Sequence, residues 1–148
     1  MKNSLLNKEI TEQVRGAFGQ LKEQVVVLFF GREKNCDYCE DTKQLVKEIS
    51  ALSDKIEYQV YDLEKDKLIA EQYQVDKTPT LIIAGKDGNQ VKDYGIRIAG
   101  IPSGHEFSSL IHDLILVSSR DSGLSPKTRD YLKTLEKPVH LQVFVTPT

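Results

Sequence analysis

Cys36 and Cys39 are the only cysteines in the chain, and two residues separate them. Thiol–disulfide exchange asks for such a pair. One thiolate attacks a disulfide, and a second thiol within reach releases the mixed disulfide that forms. Cys39, Thr42, Leu45, Val46, Ile49 and Leu52 then recur at spacings of three and four. That spacing predicts an amphipathic helix whose N-terminal amides and dipole favour a negative sulfur at Cys36. Cys39 falls on the inward stripe. The expected roles are nucleophile for Cys36 and resolving thiol for Cys39. Arg32 and Lys34 lie close enough in sequence to favour the thiolate further. Asp37 acts in both directions, since its charge suits a first helical turn but opposes a neighbouring thiolate. Tyr38 is expected to be an exposed aromatic edge for substrate, with ordinary packing as the alternative.

A second feature lies 43 residues after Cys36, where Thr78-Pro79 opens an apolar run, Thr80 to Ala84. Proline takes a cis bond at low cost, and such a bond would leave the adjacent backbone free to pair with an extended substrate. Thr78 and Pro79 are therefore expected to form a substrate-binding wall with a cis peptide. A trans proline opening a strand is the alternative. A zinc half-site is the competing reading of the cysteines. Structural zinc needs four ligands, and His105, His112 and His140 have no ligand spacing to the pair. No metal and no bound cofactor are expected. A short structural staple is disfavoured, because so small a loop constrains the unfolded chain little.

The elements that position these residues are legible in the pattern. Leu6, Ile10, Val14, Phe18 and Leu21 mark one stripe of a helix over 8–22. Val25 to Phe30 is a β-branched and aromatic run without alternation, as expected of a strand covered on both faces. A polar turn, the cysteine helix and a strand over 56–61 complete a right-handed βαβ unit with parallel strands. A short helix over 64–73, with Leu68, Ile69 and Tyr73 inward, leads to the strand after Pro79. Gly85 to Asn89 turns the chain back into a strand over 90–98. Ser103 and Glu106 form a capping-box pattern before a helix with Phe107, Leu110, Ile111, Leu114 and Val117 buried. Ser125 and Pro126 open a further helix with Tyr131, Leu132 and Leu135 inward. Val139 to Thr148 reads as a strand pattern.

One hundred and forty-eight residues, 39% apolar and 28% charged, suit one domain with a little to spare. A net charge of −2 gives no cue for a nucleic-acid partner. The longest wholly apolar run is too short to cross a bilayer. Met1 to Asn7 has no leader-like apolar core, and a cytoplasmic location is expected. There a close cysteine pair is read as catalytic or metal-binding. The end of the chain partly repeats its beginning at an offset of 114, placing Arg15 on Arg129, Leu21 on Leu135, Val25 on Val139 and Phe30 on Phe144. We read residues 1–24 as a helix packed on the domain, 25–118 as the main unit, and 119–148 as the opening of an incomplete second unit. A strand there without its own sheet should pair with a sheet edge, either in this chain or in another copy, the second being self-association through the C-terminal strand.

The element order, the C-x-x-C after the first strand and the Thr-Pro before the third resemble the thioredoxin/glutaredoxin superfamily over about Val25 to Val117. The Cys-x-Tyr-Cys motif, Gly95 to Phe107 and the closing Phe144-Val145-Thr146-Pro147-Thr148 are similar to the glutaredoxin-like protein disulfide oxidoreductases of thermophiles. The resemblance implies a three-layer α/β fold, a central four-stranded mixed sheet flanked by helices. An extra N-terminal helix and a C-terminal helix–strand extension complete it. It also implies a cis Pro79, exchange with protein dithiols and disulfides, and an upstream thiol reductase. Three departures matter. Asp37 stands where better-known relatives carry proline, glycine or glutamine. Phe30 stands where thioredoxins carry a buried acid, so the Cys39 proton must move by another group, Asp62 or Glu33, or by water. The glutathione-holding Gly-Gly is absent after the third strand, which favours a dithiol mechanism. A protein-binding module with a minor redox site, and a C-x-x-C metal or iron–sulfur carrier, remain alternatives.

Overall fold

The computed structural model describes residues 4–146. Residues 1–3, where the leader reading begins, and the closing Pro147 and Thr148 lie outside them. The elements run α1 (Lys8–Phe18), β1 (Val25–Gly31), α2 (Cys39–Ser50), β2 (Ile56–Asp62), α3 (Lys67–Gln72), β3 (Thr80–Asp87), β4 (Gln90–Ala99), α4 (His105–Ser119) and α5 (Pro126–Lys133). The sheet order is β2-β1-β3-β4. The β1–β2 pair is parallel, whereas β1–β3 and β3–β4 are antiparallel.

All seven residues of β1 are buried, as its unbroken apolar run requires. Val25, Val27 and Phe29 face a core shared with α1, α2 and α4. Val26, Leu28 and Phe30 face a second core with Ile82, Ala84 and Ala70. Each such side chain contributes roughly 1.5–3 kcal/mol of hydrophobic stabilisation, so β1 is a rigid platform for the cysteine loop at its end. Two clasps join distant segments to this platform. The Ser118 hydroxyl accepts from the Lys22 and Glu23 amides at 2.9 and 3.0 Å and donates to the Glu23 carbonyl at 2.6 Å. The Glu48 carboxylate accepts from the Leu5 and Leu6 amides and the Ser4 hydroxyl, each at about 3 Å, and so ties the N-terminal segment to α2.

Several elements differ from the sequence pattern. Helix α1 ends at Phe18, because Gly19, Gln20 and Leu21 donate back three residues in a tightened last turn that still buries Leu21. The capping box before α4 does not form. Gly104 takes a φ of 56°, and the Ser103 carbonyl, not its hydroxyl, meets the Glu106 amide at 3.1 Å. Leu68 is exposed, because an Asp62–Asp66 turn delays α3 and leaves Leu63, Ile69 and Ala70 to face inward. Tyr131, Leu132 and Leu135 are exposed too. Arg129 bonds the Asp121 carboxylate and the Leu124 carbonyl, bracing α5 against its own linker rather than the core. Among the described residues, 139–146 form no strand. Val139, Leu141, Val143, Phe144 and Val145 stand exposed, because a strand needs a ladder partner and none lies beside them. No helix among the described residues is long and apolar enough to cross a membrane.

Candidate functional site

The site forms where β1 ends and β3 begins. Phe30 pairs with Thr80, so the chain leaving β1 and the chain entering β3 share one end of the sheet. The loop after Gly31 turns through Asn35, whose φ of 56° is one that asparagine tolerates. Cys36 comes next, half-buried, and is disulfide-bonded to Cys39 with the Cα atoms 5.5 Å apart. Helix α2 begins at Cys39, three residues later than the sequence suggests, because its first closed turn runs from the Tyr38 carbonyl to the Thr42 amide at 2.9 Å. Cys36 therefore precedes the helix, and Cys39 occupies its first position.

Access differs sharply between the two sulfurs' residues. Cys39 is 3% exposed and belongs to the core around β1. The Arg32 amide donates to its Sγ at 3.4 Å. Tyr38 is 57% exposed, while its carbonyl accepts from the buried Thr42 hydroxyl at 2.7 Å. The backbone is anchored and the ring is free, which disfavours the packing alternative for Tyr38.

The Thr78–Pro79 peptide is cis. Pro79 is buried and Thr78 half-buried. The turn is held on both sides, since the Gly100 amide donates to the Pro79 carbonyl at 2.8 Å and the Thr80 hydroxyl to the Lys77 carbonyl at 2.8 Å.

Charges around the loop are mostly paired with one another. The Arg32 Nε lies 3.7 Å from a Glu64 carboxylate oxygen, and Glu33 pairs with Lys65. Asp62, opposite Gly31 on β2, accepts from the Glu64 and Lys65 amides at 2.9 and 3.0 Å. These backbone donors hold its carboxyl below the usual range. Asp62 and Glu33 are thus both engaged in contacts of the loop itself. Lys34 and Asp37 are exposed on the loop, with no ion-pair partner shown among the described residues. The same residues contain no group of three or more His, Cys, Asp or Glu placed to hold a metal.

A family profile described as a thioredoxin-like domain matches residues 12–115. The chain belongs to the thioredoxin-like family. In that setting the disulfide-bonded Cys36–Cys39 pair is an arrangement that supports thiol–disulfide exchange. NADH dehydrogenase of Bacillus subtilis is 30% identical over 130 residues, 87% of this chain and 22% of that protein. An alkyl hydroperoxide reductase subunit from Staphylococcus epidermidis is 28% identical over 144 residues, 97% of this chain and 25% of that protein. The chain thus spans about a quarter of the length of these relatives. A protein disulfide oxidoreductase from Aeropyrum pernix superposes with a TM-score of 0.74 at 26% identity, covering 91% of this chain and 58% of that one. The NTD_N/C domain of alkylhydroperoxide reductase from Enterococcus faecalis shares the fold, with a TM-score of 0.77 at 24% identity over 89% of this chain and 62% of that one.

Sequence reasoning passed over two groups at the thioredoxin-like site, Gly31 and the Arg32 amide. A glycine ending a wholly apolar strand was the available signal, since glycine there sacrifices packing for space.

Proposed function

We propose that this chain exchanges protein dithiols and disulfides through Cys36 and Cys39. Cys36 attacks a protein disulfide and forms a mixed disulfide. Cys39 then attacks Cys36, releases the reduced product and leaves the pair oxidised. The reverse sequence oxidises dithiols. The observation that carries the assignment is the contrast in access between half-buried Cys36 on the loop and core-buried Cys39 beneath it. Tyr38, Thr78 and Pro79 form the substrate wall, and Lys34 and Asp37 tune the thiolate.

The relatives named as an NADH dehydrogenase and a hydroperoxide reductase subunit carry a similar unit as a fraction of a longer chain. We take the upstream electron donor to be a thiol reductase of that general kind, acting in the cytoplasm. Residues 25–118 serve as the exchange unit with 1–24 packed on it, and 119–148 as the opening of a second such unit. The exposed apolar run from Val139 to Val145 supports self-association through that segment.

The test is insulin reduction with dithiothreitol. Turnover is expected for the wild type and is abolished by Cys36→Ser, whereas Cys39→Ser accumulates a mixed disulfide on Cys36. Equal turnover by Cys36→Ser would transfer the site to a protein-binding role. Stoichiometric zinc or iron in the purified protein would point to the carrier reading.

A further inference from the structure

Gly31 has no conformational reason to be glycine. It lies in extended backbone as the last residue of β1, and its φ is not positive. Glycine in a strand gives up side-chain packing and costs backbone entropy. What the position demands is space. A Cβ there would sit 2.7 Å from the Cε1 and Cζ atoms of Phe29 and 3.4 Å from the Cys39 Sγ. The Phe29 ring is 3% exposed and packed in the core with Cys39, so it has no route to solvent.

The same corner holds the Arg32 amide donating to the Cys39 Sγ. No acidic side chain lies on β1, and Phe30 points to the other core, stacked 5.2 Å from Tyr61. Beside the Cys39 sulfur thus stand the bare Gly31 position, which the Phe29 ring also approaches, and the Arg32 amide.

Resting on the exchange reading above, we propose that Gly31 is a positioning residue for the resolving step. Its missing side chain lets Phe29 and the Arg32 amide close on the Cys39 sulfur and aim it at Cys36. In that step the Cys39 thiol gives up its proton to solvent, and its sulfur attacks the Cys36 sulfur of the mixed disulfide. The Cys36–Cys39 bond forms and the Cys36–substrate bond breaks. The leaving substrate thiolate takes a proton from solvent. The cysteine pair loses two electrons and the substrate disulfide gains them. The amide stabilises charge on the attacking sulfur, beside a strand whose own side chains offer no carboxylate to accept the proton.

The test is single-turnover reaction of the fully reduced protein with an aromatic disulfide that releases a coloured thiolate. The first phase reports attack by Cys36, and the second reports resolution by Cys39. Gly31→Ala is expected to leave the first phase within about twofold and to slow the second about tenfold, because a displaced attacking atom loses its alignment. Phe29→Leu combined with Gly31→Ala withdraws the ring atoms and is expected to restore the second phase. Should Gly31→Ala alone fail to fold, Phe29→Leu/Gly31→Val is compared with Phe29→Leu/Gly31→Ala, and the valine branch against the sulfur is expected to be the slower. An unchanged second phase, a parallel fall of both phases without rescue, or equal rates for the two double variants would overturn the proposal. A wild-type chain with no first phase would instead refute the exchange reading on which it rests.

Discussion

Ser118 offers a quantitative test of how the platform under the cysteines is held. Its side chain is fully buried and joins α4 to the connection before β1 across some ninety-five positions. Ser118→Ala removes three hydrogen bonds and leaves almost no cavity. The Glu23 amide keeps a second acceptor, the Ser118 carbonyl at 3.2 Å. The Lys22 amide and the Glu23 carbonyl lose the partner that the hydroxyl supplied. Leaving two partly buried groups unpaired costs about 1–3 kcal/mol each when water is excluded, so we expect about 2–3 kcal/mol in total. For a chain of this size that lowers Tm by roughly 5–10 °C. Urea denaturation of the oxidised protein measures it directly, with m unchanged if only the native state is affected. The clasp lies at the opposite end of β1 from Cys36, so the rate of Cys36 attack on an aromatic disulfide should stay as in the wild type. A loss below about 0.5 kcal/mol would mean that water replaces the hydroxyl, and the clasp would then be incidental.

Other outcomes can be stated from the same structure. Glu48→Gln should cost about 1 kcal/mol at neutral pH after allowance for solvent screening, measured by urea unfolding. Burial by itself would raise the Glu48 carboxyl, but the Gln44 amide, the Leu6 and Leu5 backbone donors and the Ser4 hydroxyl outweigh it and hold it below its usual value. A depressed folded-state value gives stability that is present above the unfolded value and lost as pH falls through the folded one. The gap between wild type and Glu48→Gln should therefore close in acid, and a gap that persists at pH 2–3, well below the ordinary carboxylate value of about 4.3, would contradict the clamp. Tyr38→Ala should raise KM for insulin with little loss of stability, since the ring is exposed and only its backbone is anchored; an unchanged KM would remove Tyr38 from the substrate wall. Leu141→Asp with Val143→Asp should abolish concentration-dependent association in sedimentation velocity. A wild type that stays monomeric at high concentration would sink that expectation.

The local pattern of this chain carried much of the fold. An unbroken apolar run can be covered only on both faces, so Val25 to Phe30 announced a central strand, and β1 is buried throughout. Three- and four-residue spacing placed Cys39 inward, because helix geometry alone decides which positions share a face. The cis Thr78–Pro79 bond was expected and is present. The tertiary structure decided what depends on neighbours. The apolar residues of α5 and of 139–145 match a buried pattern, yet they are exposed, because burial needs a partner surface that periodicity does not supply. The first turn of α2 began at Cys39 rather than Cys36, and the serine before α4 capped through its carbonyl, because local backbone angles chose between near-equal hydrogen-bond partners. The corner around the Cys39 sulfur lay beyond any one-dimensional reading. Gly31, Phe29 and the Arg32 amide converge there only once β1 is paired and α2 is packed across it, and space around a sulfur is a property of the packed fold.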